Sequence, residues 1–291
     1  MKPWIVDQFI LNTAKHALEH ESNAYLVTTS ENHALMIDSG YDDSIEPILK
    51  RLQDRRVTLQ GIYLTHYHPD HSLGAPILAR EAKCPIYCHP FEYEHLVLLY
   101  KQTSIETTHI KIIPELEDQQ QIRLDTLALD VIHTPGHTHG HIALFEPITG
   151  SLFTGDTVIP SGTVWIGPPD GHLSDYLHSL DHLMELSAQL VYPGHGATTK
   201  NPDTLMQQMK ERRLLRERQI IELLKISPRT SSQLTIQLYA GVIAHEMQWV
   251  ATKTIQGHLS KLREEKQIAI TYDPIDNCLL YHVPEQQDCN N

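Results

Sequence analysis

Apolar and polar positions follow two rhythms along the first two hundred residues. AYLVTT (24–29) and HALMID (33–38) are short apolar runs bounded by polar residues, and they predict a pair of strands. Past Gly40, Ile45, Ile48, Leu49 and Leu52 recur at helical spacing, which predicts an amphipathic helix over 43–54. GIYLT (61–65) is apolar and only long enough for a strand. Ser72 then stands as the N-cap of a helix running to about Lys83. The logic repeats further on. LALDVIH (127–133) predicts a strand, and HIALFE (141–146), PITG and SLFTGD (151–156) predict a hairpin. Residues 174–186 place Tyr176, Leu177, Leu180, Leu183 and Met184 on one helical face, and QLVYPGHG (189–196) reads as another short strand. Two rounds of strands followed by helices predict an α+β protein, two sheets packed face to face with helices outside. No G-x-G-x-x-G follows the first strand, so a dinucleotide-binding fold is excluded.

The pattern changes near residue 201. MQQMKERRLLRERQIIELLK (206–225) is a long charged helix with Met209, Leu214, Leu215, Ile220 and Leu224 as its packing stripe. Pro228 disfavours helix at Ser227 and ends it. A helix near 230–240, another over 249–265 and two β-like runs, QIAIT and CLLYH, complete the chain. The expected division is a body over 1–200 and a smaller helical domain over 201–291.

Charge separates the two parts. The tail carries 11 basic and 11 acidic residues, so the formal charge of −13 sits on residues 1–200. An acidic body repels polyanions at long range, unless bound cations reverse the sign locally. No apolar run approaches the ~20 residues a membrane helix needs, so no membrane partner is expected. The opening MKPWIVDQFILNTAKH has neither the apolar core nor the cleavage site of a signal peptide, which makes the cytoplasm the expected compartment. Cys84, Cys88, Cys278 and Cys289 are too few for a disulfide framework and read as free thiols.

The chemistry is concentrated in four clusters, each directly after a predicted strand. These are His66, His68, Asp70 and His71 in HYHPDH, His137 in TPGHT, Asp156 in TGD and His195 in PGHG. Strand ends bring distant sequence to one rim of a sheet. Seven nitrogen and oxygen donors there suit borderline divalent metals, zinc first, with iron or manganese as alternatives. Gly136, Gly155, Gly194 and Gly196 would permit the tight or positive-φ turns that aim the outlying donors at the rim. His139 and His141 read as supporting groups rather than ligands. Tyr67 could face the metals or simply pack. Ser161, Gly162, Thr163 and Trp165 could line a groove or form an ordinary surface loop, and His172 and His178 read as surface histidines.

At these residues the sequence resembles the metallo-β-lactamase fold superfamily, in its dinuclear hydrolase branch. TPGHTHGH and GDT are similar to glyoxalase II. GTVWIGPPDGHLSDYLHSLDHL and WVATKTIQGHLSKLREEKQI look more like the lactamase-β-like endoribonuclease subgroup, which ends in a winged helix. The resemblance implies an αββα sandwich with a C-terminal winged-helix-like domain. It also implies roles: His66, His68 and His137 on one metal, Asp70, His71 and His195 on the other, and Asp156 bridging them. Authentic β-lactamases often carry cysteine at the bridge, so Asp156 speaks against that activity.

Two cations a few Å apart lower the pKa of a shared water toward 7. The expected enzyme is therefore a hydrolase whose nucleophile is a hydroxide between two metals, with Asp70 as its general acid–base partner. A small thioester or ester is the expected substrate. Endonucleolytic cleavage of single-stranded RNA is one alternative, and a nucleic-acid-binding or dimerisation protein with a vestigial site is another. The candidate recognition helix 249–265 sets Lys253, Lys261 and Arg263 against Glu264 and Glu265, which is thin charge for reading nucleic acid. The tail is expected instead as a lid, a substrate wall or a homodimer contact. Arg212, Arg213, Arg216 and Arg218 could meet phosphates, or form a solvated face paired with Glu211, Glu217 and Glu222.

Overall fold

The computed structural model describes residues 4–13, 21–160, 162–244 and 247–284; Ser161 and Cys289 lie outside them. The first sheet runs in chain order through β1 (Trp4–Leu11), β2 (Ser22–Thr29), β3 (His33–Ile37), β4 (Thr58–Tyr63), β5 (Ile86–Cys88) and β6 (Ile112–Pro114). The second is ordered in reverse from β12 (Thr199–Lys200) through β11 (Leu190–Pro193), β10 (Ser151–Gly155), β9 (Ile142–Glu146) and β8 (Leu127–His133) to β7 (Gln121–Leu124).

Side-chain alternation along the strands builds four layers. On β2, Tyr25 and Val27 point toward the other sheet and join Leu35, Leu129, Val131, Leu144 and Phe153 in the middle core. Ala24 and Leu26 point the other way, onto α1 (Glu46–Arg55), α3 (Ala75–Ala82) and α4 (Pro90–Gln102). With both faces covered, β2 is buried at every position, which is why it reads as a nearly continuous apolar run. The outer face of the second sheet carries Ala143, Phe145 and Leu152 against Leu177, Leu180 and Leu183 of α5 (Leu173–Glu185). The expected α+β sandwich is observed.

Three helices and a hairpin follow: α6 (Pro202–Ile226), α7 (Ser231–Tyr239), α8 (Gln248–Glu264), and the antiparallel pair β13 (Ala269–Asp273) and β14 (Cys278–His282). Ile220, Leu224, Leu234, Ile255, Leu259 and Leu262 form their own core. Met206 and Met209 at the start of α6 pack into the core beneath α5. Leu215 departs from the expected stripe and is exposed.

Ser72 is not a helix cap. It ends α2 (Pro69–Ser72), Gly74 is the N-cap of α3, and the Ser72 hydroxyl donates back to Tyr67 O at 2.7 Å. The turn that carries the histidine motif is thereby closed on itself.

Strand direction sets the rim. β3 and β4 run parallel, and β8, β10 and β11 share one direction through the antiparallel β9. Their C-terminal ends meet where the sheets are tied together. Asn23 N donates to Gly194 O at 2.7 Å, Ile142 N to Thr65 O at 2.9 Å, and the Tyr25 hydroxyl to Pro193 O at 2.7 Å.

Candidate metal centre

All seven donors converge at this rim. His66 Nε2 and His137 Nε2 lie 3.1 and 2.9 Å from His68 Nδ1. On the other side, His195 Nε2 lies 3.3 Å from His71 Nε2 and 3.2 Å from Asp70 Oδ2. Asp156 stands between the two groups. Its Oδ1 is 3.4 Å from His71 Nε2, while Oδ2 is 3.3 Å from His195 Nε2 and 3.6 Å from His137 Nε2. Three sets could each hold an ion: His66, His68 and His137; His66, His71 and Asp156; Asp70, His71 and His195.

The rings are aimed by the nitrogen that faces away from the centre. His71 Nδ1 donates to Asp38 Oδ2 at 3.0 Å, His137 Nδ1 to Trp165 O at 2.8 Å, and His195 Nδ1 to Glu21 O at 2.6 Å. His66 Nδ1 donates to the Thr65 hydroxyl at 3.0 Å, which passes its own hydrogen to Asp38 at 2.9 Å. These bonds place a proton on each Nδ1 and aim each Nε2 at the centre, a donor for an ion once His71 and His195 give up their second proton. His66 Nε2 and His137 Nε2, on rings that burial keeps neutral, both face the single His68 Nδ1, whose one hydrogen can satisfy only one of them. Asp156 Oδ1, buried without a hydrogen-bond partner, adds an orphaned anion to the same space. Cations between these donors remove both penalties, so the donor set fits divalent metals.

Protonation follows the same division. Burial and the neighbouring imidazoles hold His66 well below the usual histidine range and push His68 down to about 3. Burial also lowers His137, against Asp156. Burial works against charge at His71 and His195 too, but the carboxylates outweigh it, raising His71 well above the ordinary range and His195 to about 10. Asp70 and Asp156 are held low despite their burial by His71 and His195.

The family model for the metallo-beta-lactamase superfamily matches residues 18–195. The chain belongs to this superfamily. Among curated relatives, the Beta-lactamase-like protein 2 homolog of Drosophila melanogaster is 26% identical over 265 residues, covering 89% of this chain and 88% of its own. The Atrochrysone carboxyl ACP thioesterase AacuM of Aspergillus aculeatus is 30% identical over 64% of this chain and 54% of its own. Among solved structures, TTHA1623 in a di-iron-bound form is 32% identical with a TM-score of 0.53, over 66% of this chain and 94% of that one.

The supporting groups of this metallo-beta-lactamase site are only partly visible in the sequence. His141 is fully buried and accepts the Asp156 backbone N–H. Asp38 escaped notice because a single acid ending HALMID carries no metal spacing; its position at the C-terminal end of β3, on the ligand rim, was the available signal. Glu92 on α4 was also missed. Its carboxylate accepts Tyr67 N at 2.7 Å, the Thr138 hydroxyl at 2.9 Å and Gly140 N at 2.8 Å, joining the HYHPDH turn to the loop of His137. Burial pushes Glu92 up to about 7, while those three donors pull it back.

Other expectations resolve individually. Gly136, Gly155 and Gly196 have positive φ, but Gly194 does not. Gly194 is needed for space: a Cβ there would stand 2.3 Å from Asp156 Oδ1. Tyr67 stacks on His95 with centroids 4.7 Å apart and lies edge-on to His68. His139 is exposed and contributes only a carbonyl, to His133. His172 is half-buried rather than a plain surface residue; it caps α5 and reaches Glu264 of α8 at 3.1 Å.

Proposed function

We propose that the chain is a dinuclear metal-dependent hydrolase of a small thioester or ester. His66, His68 and His137 would hold one ion, Asp70, His71 and His195 the other, and Asp156 would bridge them. The position of Asp156 carries this reading. One carboxylate faces histidines of both groups, and its buried Oδ1 has no other partner. The di-iron form of a 32% identical protein supports two ions, and the thioesterase names among relatives support the substrate class. Zinc is the favoured metal from the donor set.

Bound there, two divalent ions would supply a water acidified toward neutral pH and a Lewis acid for the carbonyl. The chain's own residues do the rest. Asp70, half-buried and 3.2 Å from His195, is placed to orient the attacking water and take its proton. Its backbone is fixed by the Ser22 hydroxyl, 2.6 Å from Asp70 O. Trp165 holds His137 through its carbonyl and stacks its ring over His68 at 6.2 Å, giving the site an aromatic lip.

We assign residues 1–200 to the hydrolase body and 201–291 to a winged-helix-like domain acting as a substrate wall. Trp249 of α8 meets Trp165 edge-on at 6.1 Å, and a Cβ on Gly257 would stand 2.6 Å from Ile166 O, so α8 lies directly on the segment beside the site. One of its three cations is committed inward, while Arg263 is exposed beside Glu264 and Glu265. Lys261 is buried on Glu217 at 2.9 Å and Thr254 is buried as well, which leaves α8 poorly equipped to read RNA. The deciding experiment is metal analysis coupled to a substrate panel of thioesters, esters, lactones, phosphodiesters and single-stranded RNA. Two metals per chain with thioester or ester turnover is expected. RNA cleavage without ester turnover would overturn the substrate assignment.

A further inference from the structure

A cavity of about 210 Å³ lies between α5, α6, α7 and the segment leading to Trp165. One water needs only ~10–15 Å³ on this measure. Its walls include Arg212, Arg213 and Arg216 of α6, Tyr176 of α5, Tyr239 of α7 and His258 of α8, and no acidic residue among those described.

The arginines are not a solvated face paired with the glutamates of their own helix. Glu217 is spent on Lys261 at 2.9 Å, Glu222 bonds Lys225 at 2.7 Å, and Glu211 bonds Gln207 at 2.9 Å. Arg213 is 5% exposed, donates to Val164 O and lies over the Tyr176 ring at 5.6 Å. Arg216 lies over the Tyr239 ring at 4.3 Å and donates to Leu238 O at 3.3 Å; Arg212 reaches Gly162 O at 3.4 Å. The polar partners found for the three are carbonyls, ring faces and the Tyr176 hydroxyl, and none is a carboxylate. His258 is 1% exposed; its Nδ1 makes no close hydrogen bond and faces Glu217 Oε1 at 3.6 Å. A buried cation needs an anion to offset its lost hydration, and like charges in one cavity raise that need. Guanidinium forks match phosphate oxygens two at a time.

We propose that this cavity is a binding site for a small phosphate-bearing anion, held by Arg212, Arg213 and Arg216 and separate from the metal centre. Val164, whose carbonyl takes Arg213, immediately precedes Trp165, whose carbonyl holds His137. The anion would sit behind the segment that lines the active site. It would neutralise the arginines and brace that segment against α6. Inorganic phosphate and a phosphate monoester share the necessary chemistry.

Thermal unfolding of the full-length, metal-loaded protein tests the proposal, with inorganic phosphate and adenosine 5′-monophosphate titrated at constant ionic strength against chloride. Tm should rise by roughly 4–5 °C at a hundredfold excess over the dissociation constant. A larger effect for the monoester identifies a phosphorylated metabolite as the ligand; equal effects identify free phosphate. The double variant R212Q/R216Q should keep its metals and lose most of the shift. Arg212 is exposed, so the single variant R212Q keeps the fold and should weaken the response several-fold. No shift in the wild type overturns the site. An undiminished shift in the folded variants also overturns it, because the anion would then be bound elsewhere, the metals included.

Discussion

The Nε2 of His141 accepts the backbone N–H of Asp156 at 3.0 Å. Its Nδ1–H is therefore turned to the hydroxyls of Thr134 and Thr157, at 2.8 and 3.1 Å. Burial and its imidazole neighbours keep the ring neutral, the form this arrangement requires. Replacing His141 with Leu leaves a buried N–H unpaired at the residue between the two donor groups. The expected cost is about 1–3 kcal/mol of stability and a loss of roughly 10–100-fold in metal affinity or activity. Denaturant unfolding and metal titration of His141→Leu check both; wild-type metal affinity would count against a positioning role.

Glu92 offers a sharper substitution. Both carboxylate oxygens accept, Oε2 from Tyr67 N and Oε1 from the Thr138 hydroxyl and Gly140 N. In Glu92→Gln one oxygen becomes an NH₂ that must confront an N–H donor. The volume is unchanged, so the loss of about 1–3 kcal/mol comes from the unmet donors alone. An unaltered denaturation midpoint would show that the carboxylate does not clamp the two loops.

Asp156→Ala removes the carboxylate shared by the two groups. The remaining histidines still face one another, so the variant is expected to fold, to lose at least one metal and to lose hydrolysis. Elemental analysis of purified Asp156→Ala against wild type decides the point; two ions retained per chain would remove Asp156 from the bridge.

Metal uptake should also release protons. Burial opposes charge on His71 and His195, yet Asp70 and Asp156 raise both, His195 to about 10. In the metal-free protein at pH 7 both rings therefore carry protons that an ion must displace from Nε2. Affinity rises with pH up to that raised value. Stability of the metal-free fold follows the opposite sign. The contribution of these two histidines is complete below about pH 6.5, their unfolded value, and is lost as pH rises through their raised folded values, about 10 for His195. Calorimetry of zinc binding at pH 7 in two buffers of different ionisation enthalpy counts the protons. Release of more than one is expected, and none would contradict the charged state of both rings.

What the sequence disclosed depends on spacing. HYHPDH, TPGH, TGD and PGH each follow an apolar run, and the rim brings all seven donors together. Asp38 and Glu92 were hidden because a lone acid has no spacing to betray it. α4 itself escaped for a related reason: Phe91, Tyr93, Val97 and Leu98 are exposed while Leu96 and Tyr100 are buried, so apolar residues ring the helix and no periodic face stands out. β5 and β6 have three residues each, too few to show alternation. Arg213 looks like surface charge in MKERRLLRER and becomes buried only because α6 lies across α5. No local pattern encodes that crossing.

The tail is tested better by one residue than by deletion. Met206 and Met209 are buried against α5, so removing residues 201–291 would open the core of the body as well. Trp249 avoids this problem, being 48% exposed on α8. Its ring meets Trp165 edge-on at 6.1 Å, and the Trp165 carbonyl holds His137. An aromatic pair of this kind is worth about 0.5–1.5 kcal/mol. If α8 walls the substrate groove, Trp249→Ala should raise KM for the best substrate by roughly 2- to 10-fold, the same energy expressed as affinity. Metal content should stay at the wild-type value, because no donor touches the Trp249 side chain. Unchanged kinetics in a folded, fully metallated Trp249→Ala would show that α8 does not form the substrate wall.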